Sequence, residues 1–493
     1  MGAMPSPTVV LLPMWAPGHF SSMLQAGKRL LLCSAGGGTT ATFTLTVLVI
    51  PPPMYSPAPA LTSEASSQGH CCEMASGDDG GVDFHHLPYV EHSADLPGHP
   101  SEYIRLYAPR VKEAISGLAA PVAAVVFDFF ATPLLDAAHD LSVPAYVYFA
   151  STAATLALML RLPAIYEDVV SARFRDKRGF VDVPGMPPVP VASMPSPELN
   201  DYAWFVYYGR RFMETRGIVV NTAAELEPRV LAAIAGGRCT PGGDRAPPVY
   251  PIGPVLSLNN KPRGDDHSPA SPHECVRWLD DARPPASVVF LCFGSRGWMD
   301  AAQEREVAVG LERSRQSFLW VLRGPPVGSS PYPTDADFTD LLPDGFLERT
   351  KGQGLVWPSW APQTEILAHA AVGGFVTHCG WNSTLESLWH GVPMAPWPLY
   401  AEQHLNAFEL VACMGVAVEL RVCTGREHGN FVEAAELERV VKELMGGGEE
   451  GRKAREKTME MKVACRNAVE KGGTSYAATQ RLVQDMLEYY APK

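Results

Sequence analysis

Residues 360–403 hold a dense set of polar side chains whose types and spacing could bind an anionic ligand. Within them, the apolar run 373–379 is typical of a buried strand, and Gly380 separates it from a polar helix start at Asn382. The unpaired amides and the positive dipole end of a helix N-terminus favour an anion such as a pyrophosphate. Because residues 360–403 contain no Lys or Arg, we expect dipoles, amides and hydroxyls to hold it.

Side chains around this helix start could add further contacts. His378, Asn382 and Ser383 supply hydrogen-bonding groups for an anion, whereas Glu386 follows Asn382 by four residues and shares its helical face. A carboxylate at that place could accept hydrogen bonds from sugar hydroxyls. The spacing therefore predicts a phosphate site with a sugar acceptor beside it.

The two ends of the stretch carry groups of a different kind. Trp360 offers a flat face on which a nucleobase could stack. Glu402 and Gln403 provide the acceptor and the donor that sugar hydroxyls require. Together with the helix start, these ends indicate a nucleotide sugar rather than a free phosphate.

The order and spacing of these residues closely resemble the signature box of plant family 1 UDP-dependent glycosyltransferases of secondary metabolism, and the resemblance covers most of the chain. It implies that Trp360 stacks on uracil, Ala361 contacts uracil through its backbone, and Gln363 and Glu386 hold the ribose. It further implies that the diphosphate and the start of the sugar are surrounded by His378, Trp381, Asn382 and Ser383. Glu402 and Gln403 would read sugar hydroxyls, with Glu402 standing where many members have Asp. Gln403 implies a preference for UDP-glucose, since members that use galactose often have His there.

A candidate base and its partner lie in the amino-terminal half. His19 follows the first buried strand, predicted at residues 9–12, in a loop at residues 13–20 that precedes a helix. Asp128 ends the apolar strand predicted at residues 123–130, where a carboxylate is unfavourable unless it is paired. We expect the two side chains to pair, and the resemblance implies a dyad in which His19 takes the acceptor proton. Ser21 and Ser22 depart from the family's apolar residue and Pro, which bears on the acceptor pocket.

The surroundings of the two ligands follow from neighbouring residues. Phe20, Phe129 and Phe149 flank the dyad and could form an aromatic acceptor pocket or belong equally well to the core. Ser295 follows the strand predicted at residues 287–293, and the resemblance implies that it contacts the phosphate or the sugar. A phenol suits an imidazole base because its pKa, about 10, is closer to that of imidazole than an aliphatic alcohol's is.

The alternation of strands and helices predicts an α/β fold with two doubly wound, Rossmann-like domains that face a cleft, which the resemblance identifies as the GT-B fold. The predicted acceptor domain spans residues 1–250 and the UDP-sugar domain residues 251–474. A Pro, Gly, Asp and Ser rich linker lies at 242–272. The terminal helix, at residues 475–490, is expected to pack back on the first domain.

Composition restricts the partners and the location of the chain. The chain has 493 residues with 40 basic and 53 acidic side chains, so its net charge of −13 argues against nucleic acid or anionic membranes as partners. Its ten cysteines show no CxxC spacing, which favours reduced thiols in the cytosol. The uncharged residues 141–160 are interpreted as a strand, Ala145–Phe149, and a buried helix rather than a membrane span. We expect a cytoplasmic monomer that needs neither a cofactor nor a metal.

Two other motifs could suggest metal chemistry. Asp335 and Asp337 form a DxD pattern, which another glycosyltransferase fold uses to bind a metal. They lie in a Pro and Gly rich stretch without a flanking strand, so we interpret them as a solvated acidic turn. His85 and His86 have no further ligand nearby in the sequence, and we assign them no metal.

The sequence thus predicts an inverting transfer of glucose from UDP-glucose to a hydroxyl of a small phenolic acceptor such as a flavonoid. Two alternatives stay open: C-glycosylation on the same scaffold, and a non-catalytic protein that binds nucleotide sugars. A nicotinamide-dependent oxidoreductase is disfavoured, because the loop after Leu12 lacks the GxGxxG spacing that such a fold requires.

Overall fold

The computed structural model of the chain describes residues 6–36, 43–53, 81–91, 99–170, 179–195, 201–257, 272–281, 283–328, 330, 332–422 and 430–488. Residues 51–81 are rich in Pro, Ser and Gly, which predicts a surface excursion, and most of this stretch lies outside the described residues, as does much of the predicted linker. Cys71, Cys72 and Cys423 also lie outside them. Every cysteine among the described residues is a free thiol.

Short apolar runs rich in β-branched residues form the strands of the amino-terminal half, as expected for a parallel sheet that is covered on both faces. The strands are β1 (Thr8–Leu12), β2 (Thr44–Val49), β3 (Val82–His86), β4 (Val122–Asp128), β5 (Ala145–Phe149), β6 (Phe180–Val181), β7 (Val189–Pro190), β8 (Gly217–Val220) and β9 (Val249–Pro251). Within the described residues, the order in the main sheet is β3-β2-β1-β4-β5-β8-β9, and all its neighbours are parallel. Strands β6 and β7 form a separate antiparallel pair.

The helices of this half cover the sheet and differ from the predicted ones at two proline residues. They are α1 (Pro17–Gly36), α2 (Pro100–Arg105), α3 (Ala108–Ser116), α4 (Leu135–Asp140), α5 (Ala153–Val170), α6 (Asp201–Phe212) and α7 (Pro228–Ala235). Helical spacing in the sequence predicts one helix at 103–118, but the structure has two, because Pro109 fits only the first turn of a new helix. The loop predicted at 13–20 is also shorter, because Pro17 begins α1 and so places His19 in the first helical turn.

The carboxy-terminal half contains a second parallel sheet. Its strands, with a small hairpin formed by β12 and β13, are β10 (Val288–Cys292), β11 (Ser317–Val321), β12 (Arg323–Gly324), β13 (Thr334–Asp335), β14 (Gly354–Trp357), β15 (Val372–Thr377) and β16 (Met394–Pro396). The helices are α8 (Glu274–Asp280), α9 (Ala301–Ser314), α10 (Phe338–Leu341), α11 (Phe346–Arg349), α12 (Gln363–Ala368), α13 (Trp381–His390), α14 (Gln403–Phe408), α15 (Ala434–Gly446), α16 (Glu449–Val469) and α17 (Thr474–Glu488). Among the described strands, the order is β14-β11-β10-β15-β16.

Both sheets reverse their strand order at one point. In the first sheet β1 lies between β2 and β4, and in the second sheet β10 lies between β11 and β15. In open α/β sheets, ligands bind outside the carboxyl ends of the strands at such a switch point. His19 and Asp128 follow or end the strands of the first switch point, whereas Ser295 and His378 follow those of the second. The topology therefore brings the predicted site residues together in each half.

The terminal helix α17 packs on the sheet of the amino-terminal half. Ala478, Leu482 and Met486 belong to the hydrophobic cluster that also contains residues of β1, β2 and α1. Asp485 accepts hydrogen bonds from the hydroxyl of Tyr146 at 2.6 Å and from Arg216 at 2.7 Å. The chain therefore returns to its first half after it has completed the second.

Two stretches that composition singled out have ordinary structural roles. Asp337 caps helix α10 by accepting from the amide of Thr339, and Asp335 pairs with Arg323 in the small hairpin. The uncharged stretch at 141–160 forms β5 and the beginning of α5, as predicted. No helix among the described residues is long and apolar enough to cross a membrane.

Candidate active site

His19 and Asp128 form a direct hydrogen bond between neighbouring strands of the first sheet. Strands β1 and β4 run parallel with Leu12 opposite Phe127, so the residues that follow them meet at one edge. Nδ1 of His19 lies 2.8 Å from Oδ2 of Asp128, and Oδ1 of Asp128 accepts from the amide of Phe130 at 3.0 Å. Because a carboxylate only accepts, Nδ1 carries the ring proton and Nε2 is left able to take another.

The electrostatics of His19 depend on both halves of the chain. Burial acts to lower its pKa, but the charge of Asp128, the hydrogen bond to Asp128 and the charge of Glu402 outweigh burial and raise the pKa above the ordinary histidine value. The His19 side chain is 25% exposed, whereas that of Asp128 is completely buried. The imidazole is thus held by a buried carboxylate while it keeps access to the cleft.

The aromatic residues around His19 differ from the predicted set. The ring centroids of Phe129 and Phe130 lie 5.6 and 5.3 Å from the centroid of the imidazole. Phe20 and Phe149 are 1% and 0% exposed and belong to hydrophobic clusters, because they project into the layers between helices and sheet. Of the two alternatives for these two rings, their burial favours the core. Phe129 is 7% exposed and belongs to the same cluster as Phe149, but its ring also lies beside His19. Phe130 was missed, although its position two residues after Asp128 places it beside the same strand end.

The second half contains a cavity of about 210 Å³ at its switch point. Of the predicted donor residues, those that line it are Ser295, Trp360, Ala361, Gln363, Ser383 and Glu386. Trp360 is 57% exposed, so its ring face is available to a ligand. Arg323 also lines the cavity and was not predicted, since it lies outside residues 360–403. Its guanidinium donates to the carbonyls of Thr334 and Pro333.

One side of the cavity is a hydrogen-bonded group of three side chains. The amide nitrogen of Gln363 donates to Oγ of Ser383 at 2.9 Å and to Oε2 of Glu386 at 2.8 Å. Burial raises the pKa of Glu386, although hydrogen bonds from Gln363 and Thr364 oppose the shift. The contacts fix a carboxyl group and a hydroxyl on one wall of the cavity, where they can accept from or donate to a polar ligand.

His378 is enclosed between two glycines. A Cβ atom built on Gly294 or on Gly380 would come within 2.5 Å of the imidazole, and Gly294 has a positive φ of 77°. Burial lowers the pKa of His378 to about 4, so the ring is neutral near pH 7. Its Nδ1 is buried without a partner among the described residues. A neutral imidazole there can offer one N–H to an anion without adding charge.

The first turn of α13 reaches across to the amino-terminal half. Nε1 of Trp381 donates to the carbonyl of Asn221 at 2.7 Å, and Nδ2 of Asn382 donates to the carbonyl of Gly18 at 2.9 Å. Gly18 immediately precedes His19. Helix α13 begins at Trp381 rather than at Asn382, with Gly380 as its N-cap. The predicted anion site and the predicted base are therefore in direct structural contact.

Glu402 and Gln403, at the end of the signature stretch, lie beside the same cleft. Oε1 of Glu402 accepts from the hydroxyl of Ser151, in the first half, at 3.2 Å. Oε1 of Gln403 accepts from the amides of Leu399 and Tyr400 at 2.9 and 3.0 Å, and the residue is 3% exposed. Gln403 therefore braces the preceding loop with its carbonyl, and its side chain also hydrogen-bonds to the hydroxyl of Tyr400.

Comparison with known proteins identifies relatives along nearly the whole chain. Residues 255–445 match the family described as "UDP-glucoronosyl and UDP-glucosyl transferase". The malvidin galactosylase UGT88C3 of Oryza sativa subsp. japonica is 54% identical over 500 residues, which cover 98% of each chain. An anthocyanidin 5,3-O-glucosyltransferase of a Rosa hybrid cultivar is 37% identical over 492 residues, 97% of this chain and 98% of that protein.

Solved structures agree with these sequence matches. A glycosyltransferase of Siraitia grosvenorii in complex with UDP superposes with a TM-score of 0.81 at 36% identity, over 97% of this chain and 99% of that one. UGT71G1 of Medicago truncatula, complexed with UDP-glucose, gives a TM-score of 0.80 at 33% identity over 98% of both chains. The two sheets and the cleft between them thus form the GT-B fold that the sequence predicted.

Proposed function

The chain belongs to the plant family 1 UDP-dependent glycosyltransferases, and from this premise we propose that it transfers a hexose from a UDP-sugar to a hydroxyl of a small phenolic acceptor with inversion at the anomeric carbon. The observation that carries the proposal is the His19–Asp128 pair, which lies at the switch point of the first sheet. A hydrogen bond from Asn382 to the carbonyl of Gly18 connects it to the N-terminus of α13, the proposed phosphate site at the second sheet. An oxidoreductase or a phosphatase would not need this combination.

His19 is the proposed general base. With Nδ1 bound to Asp128, Nε2 takes the proton of the acceptor hydroxyl as the oxygen attacks the anomeric carbon. The bond between that carbon and the UDP oxygen breaks from the opposite face, and its electron pair leaves with UDP. An α-linked donor therefore gives a β-linked product. Asp128 holds the ring orientation and stabilises the imidazolium that forms.

The leaving diphosphate is proposed to lie at the N-terminus of α13. Backbone amides of a ten-residue helix, the neutral His378 and the hydroxyl of Ser383 supply donors there without a positively charged side chain. Trp360 would stack on uracil, Ala361 would contact it, and Gln363 with Glu386 would hold the ribose. Ser295, at the mouth of β10, would contact the phosphate or the sugar.

The donor sugar has two candidates. UDP-glucose is favoured because Gln403 stands where family members that use galactose often have His. UDP-galactose is the second candidate, because the rice relative that is 54% identical is named a malvidin galactosylase. Glu402 would accept from sugar hydroxyls in either case, and Gln403 would donate from its amide nitrogen, since its carbonyl is bound to the backbone.

A flavonoid-type phenol is the proposed acceptor. The rings of Phe129 and Phe130 beside His19 favour a flat aromatic molecule, and the Rosa relative is named for anthocyanidins. Operation as a cytoplasmic monomer without metal or cofactor stays a prediction. Treatment of the purified enzyme with a chelator is expected to leave the rate unchanged.

The experiment is a turnover assay with UDP-glucose and UDP-galactose against a panel of phenols, with products identified by mass and by acid hydrolysis. We expect an acid-labile O-glycoside, whereas an acid-stable product would show C-glycosylation. His19→Ala should abolish transfer but retain UDP binding by calorimetry, and the exposed His86→Ala should serve as its matched control. Wild-type protein that binds UDP but glycosylates no acceptor would favour the non-catalytic alternative and refute the proposal.

A further inference from the structure

Two helix N-termini from opposite halves meet at the catalytic pair. The first turn of α13 donates from Asn382 to the carbonyl of Gly18, directly before His19. The neighbouring Trp381 donates its indole N–H to the carbonyl of Asn221, at the end of β8. The helix proposed to receive the diphosphate is thus bound to the amino-terminal half at two separate points.

The second of these points continues through buried side chains back to the helix that carries His19. Nδ2 of Asn221 donates to Oγ of Ser22 at 3.2 Å, and Oγ of Ser22 lies 2.6 Å from the hydroxyl of Tyr148. Oδ1 of Asn221 accepts from the amide of Val255 at 2.7 Å. Ser22, Asn221 and Tyr148 are 5%, 0% and 1% exposed.

Ser22 lies almost one helical turn after His19, so its hydroxyl holds the same first turns of α1 that present the base. The sequence departs from the family pattern at this position, where Pro is more common. In the structure, Ser22 supplies a buried hydrogen-bonding group at this position. A proline side chain could neither donate to Tyr148 nor accept from Asn221.

We propose that Ser22 and Asn221 are positioning residues, which together with Trp381 fix the helix carrying His19 relative to the helix that receives the diphosphate. The inference rests on the proposed function. In-line attack requires the acceptor oxygen, held by the base, and the anomeric carbon, held by the diphosphate, to lie about 3–3.5 Å apart. The two are held by different halves, so the relative position of α1 and α13 sets this distance.

Buried polar groups that satisfy one another specify a single arrangement. The carbonyl of Asn221 receives the indole N–H only when the two halves are docked as observed, and the side chain of the same residue holds Ser22. Removal of the Ser22 hydroxyl leaves UDP contacts in place but frees α1 from this link. The chemical step should therefore suffer more than the binding of either substrate.

The test compares Ser22→Ala with Ser22→Thr, which keeps a hydroxyl, and with Ser21→Ala as the matched control. Ser21 is the adjacent residue of α1, and its hydroxyl bonds to that of Ser257 rather than to Asn221. For each enzyme, kcat and both KM values are measured, and active sites are counted by calorimetric titration with UDP. We expect Ser22→Ala to lower kcat per active site about tenfold with KM values within twofold, since a misplacement of 1 Å can lower a rate about a hundredfold.

Ser22→Thr should retain more than half of the wild-type kcat, and Ser21→Ala should match the wild type. The inference is overturned if Ser22→Ala has the kcat of the Ser21→Ala control. It is also overturned if Ser22→Thr is as slow as Ser22→Ala, which would show that the hydroxyl does not restore the rate. It is equally overturned if kcat per titrated site is unchanged and only the number of sites falls. A wild-type enzyme without turnover would instead refute the proposed function itself.

Discussion

Replacement of Asp128 by Asn removes the charge of the proposed dyad but leaves its shape. Oδ1 of Asp128 accepts from the amide of Phe130, and Oδ2 accepts from Nδ1 of His19. In the variant, the amide oxygen can keep the contact to Phe130, which turns the NH₂ group toward His19. An NH₂ group that faces Nδ1 requires this nitrogen to be unprotonated. The ring proton then moves to Nε2, the atom that must take the acceptor's proton.

The magnitude of the loss follows from two contributions. A hydrogen bond to a charged group contributes about 1.5–3 kcal/mol, which corresponds to about 10- to 150-fold in rate at about 1.36 kcal/mol per factor of ten. The wrong tautomer adds to this loss, and the corresponding change in a serine protease triad lowers kcat about 10⁴-fold. We expect kcat of Asp128→Asn to be about 10²- to 10⁴-fold below wild type. UDP affinity should not change, because Asp128 lies outside the donor cavity.

The same substitution shifts the pH dependence in a defined direction. The pKa of His19 is raised because the charge and hydrogen bond of Asp128 and the charge of Glu402 outweigh the effect of burial. The base must be neutral, so the wild-type rate should rise with pH through a value above about 6.5. Without the charge of Asp128, burial dominates the pKa of His19 and lowers it. The acidic limb of the pH–rate profile then moves to lower pH. The raised pKa also means that protonated His19 stabilises the fold below its unfolded pKa, and that this stability is lost as pH rises through the folded value.

The assay is the rate of glycoside formation between pH 5 and 9 for wild type and Asp128→Asn, with UDP binding measured by calorimetry at each pH. A variant within threefold of wild type would show that Asp128 does not support the base. An unmoved acidic limb with intact UDP binding would show that His19 is not the titrating group. Either result would refute the dyad.

Four further predictions, for three residues, concern the second half of the chain. Trp360→Ala should weaken UDP binding about 5- to 150-fold by calorimetry, since stacking on a base contributes about 1–3 kcal/mol. Gln403→Glu keeps the acceptor for the two loop amides but loses the amide donor, so it should lower kcat/KM for the preferred UDP-sugar. Gln403→His should shift the ratio of UDP-glucose to UDP-galactose use, and an unchanged ratio would exclude Gln403 as a sugar reader. Burial and the neighbouring Glu227 charge raise the pKa of Glu409 well above its usual range, so wild-type stability should fall as pH rises from about 4.5. In Glu409→Gln this decline in thermal unfolding temperature should be smaller.

Much of the fold and of the donor site could be predicted because their signals are local. The apolar runs that became β1, β4, β10 and β15 are continuous in sequence, and a polar site residue ends each run or follows it within seven residues. Within each sheet, parallel strands place their carboxyl ends on the same edge, so the side chains that follow neighbouring strands lie close together. Strands with a weaker pattern, such as β9 and β16, were not recognised, since three residues that include a proline give no periodicity.

The atoms that a site residue has available could not be predicted from its position. Gln403 was assigned to the sugar from its place in the signature stretch, but its carbonyl is bound to two backbone amides. Phe149 was a pocket candidate because it follows the same strand edge, but packing places its ring in the core. Such outcomes depend on which neighbours fill the space around a side chain, which a local motif does not contain.

The contacts between the halves are the least visible in sequence and the closest to the proposed chemistry. Trp381 and Asn221 are 160 residues apart, Ser151 and Glu402 are 251 apart, and Asn382 and Gly18 are 364 apart. From the sequence alone, each of these residues can be explained within its own half, and nothing in the local pattern indicates a contact with the other half. Two of the contacts nevertheless bear on one imidazole, because Gly18 directly precedes His19 and the charge of Glu402 raises the pKa of His19. Because the proposed base and the proposed diphosphate site lie at the ends of different sheets, the rate should depend on this junction as much as on either motif.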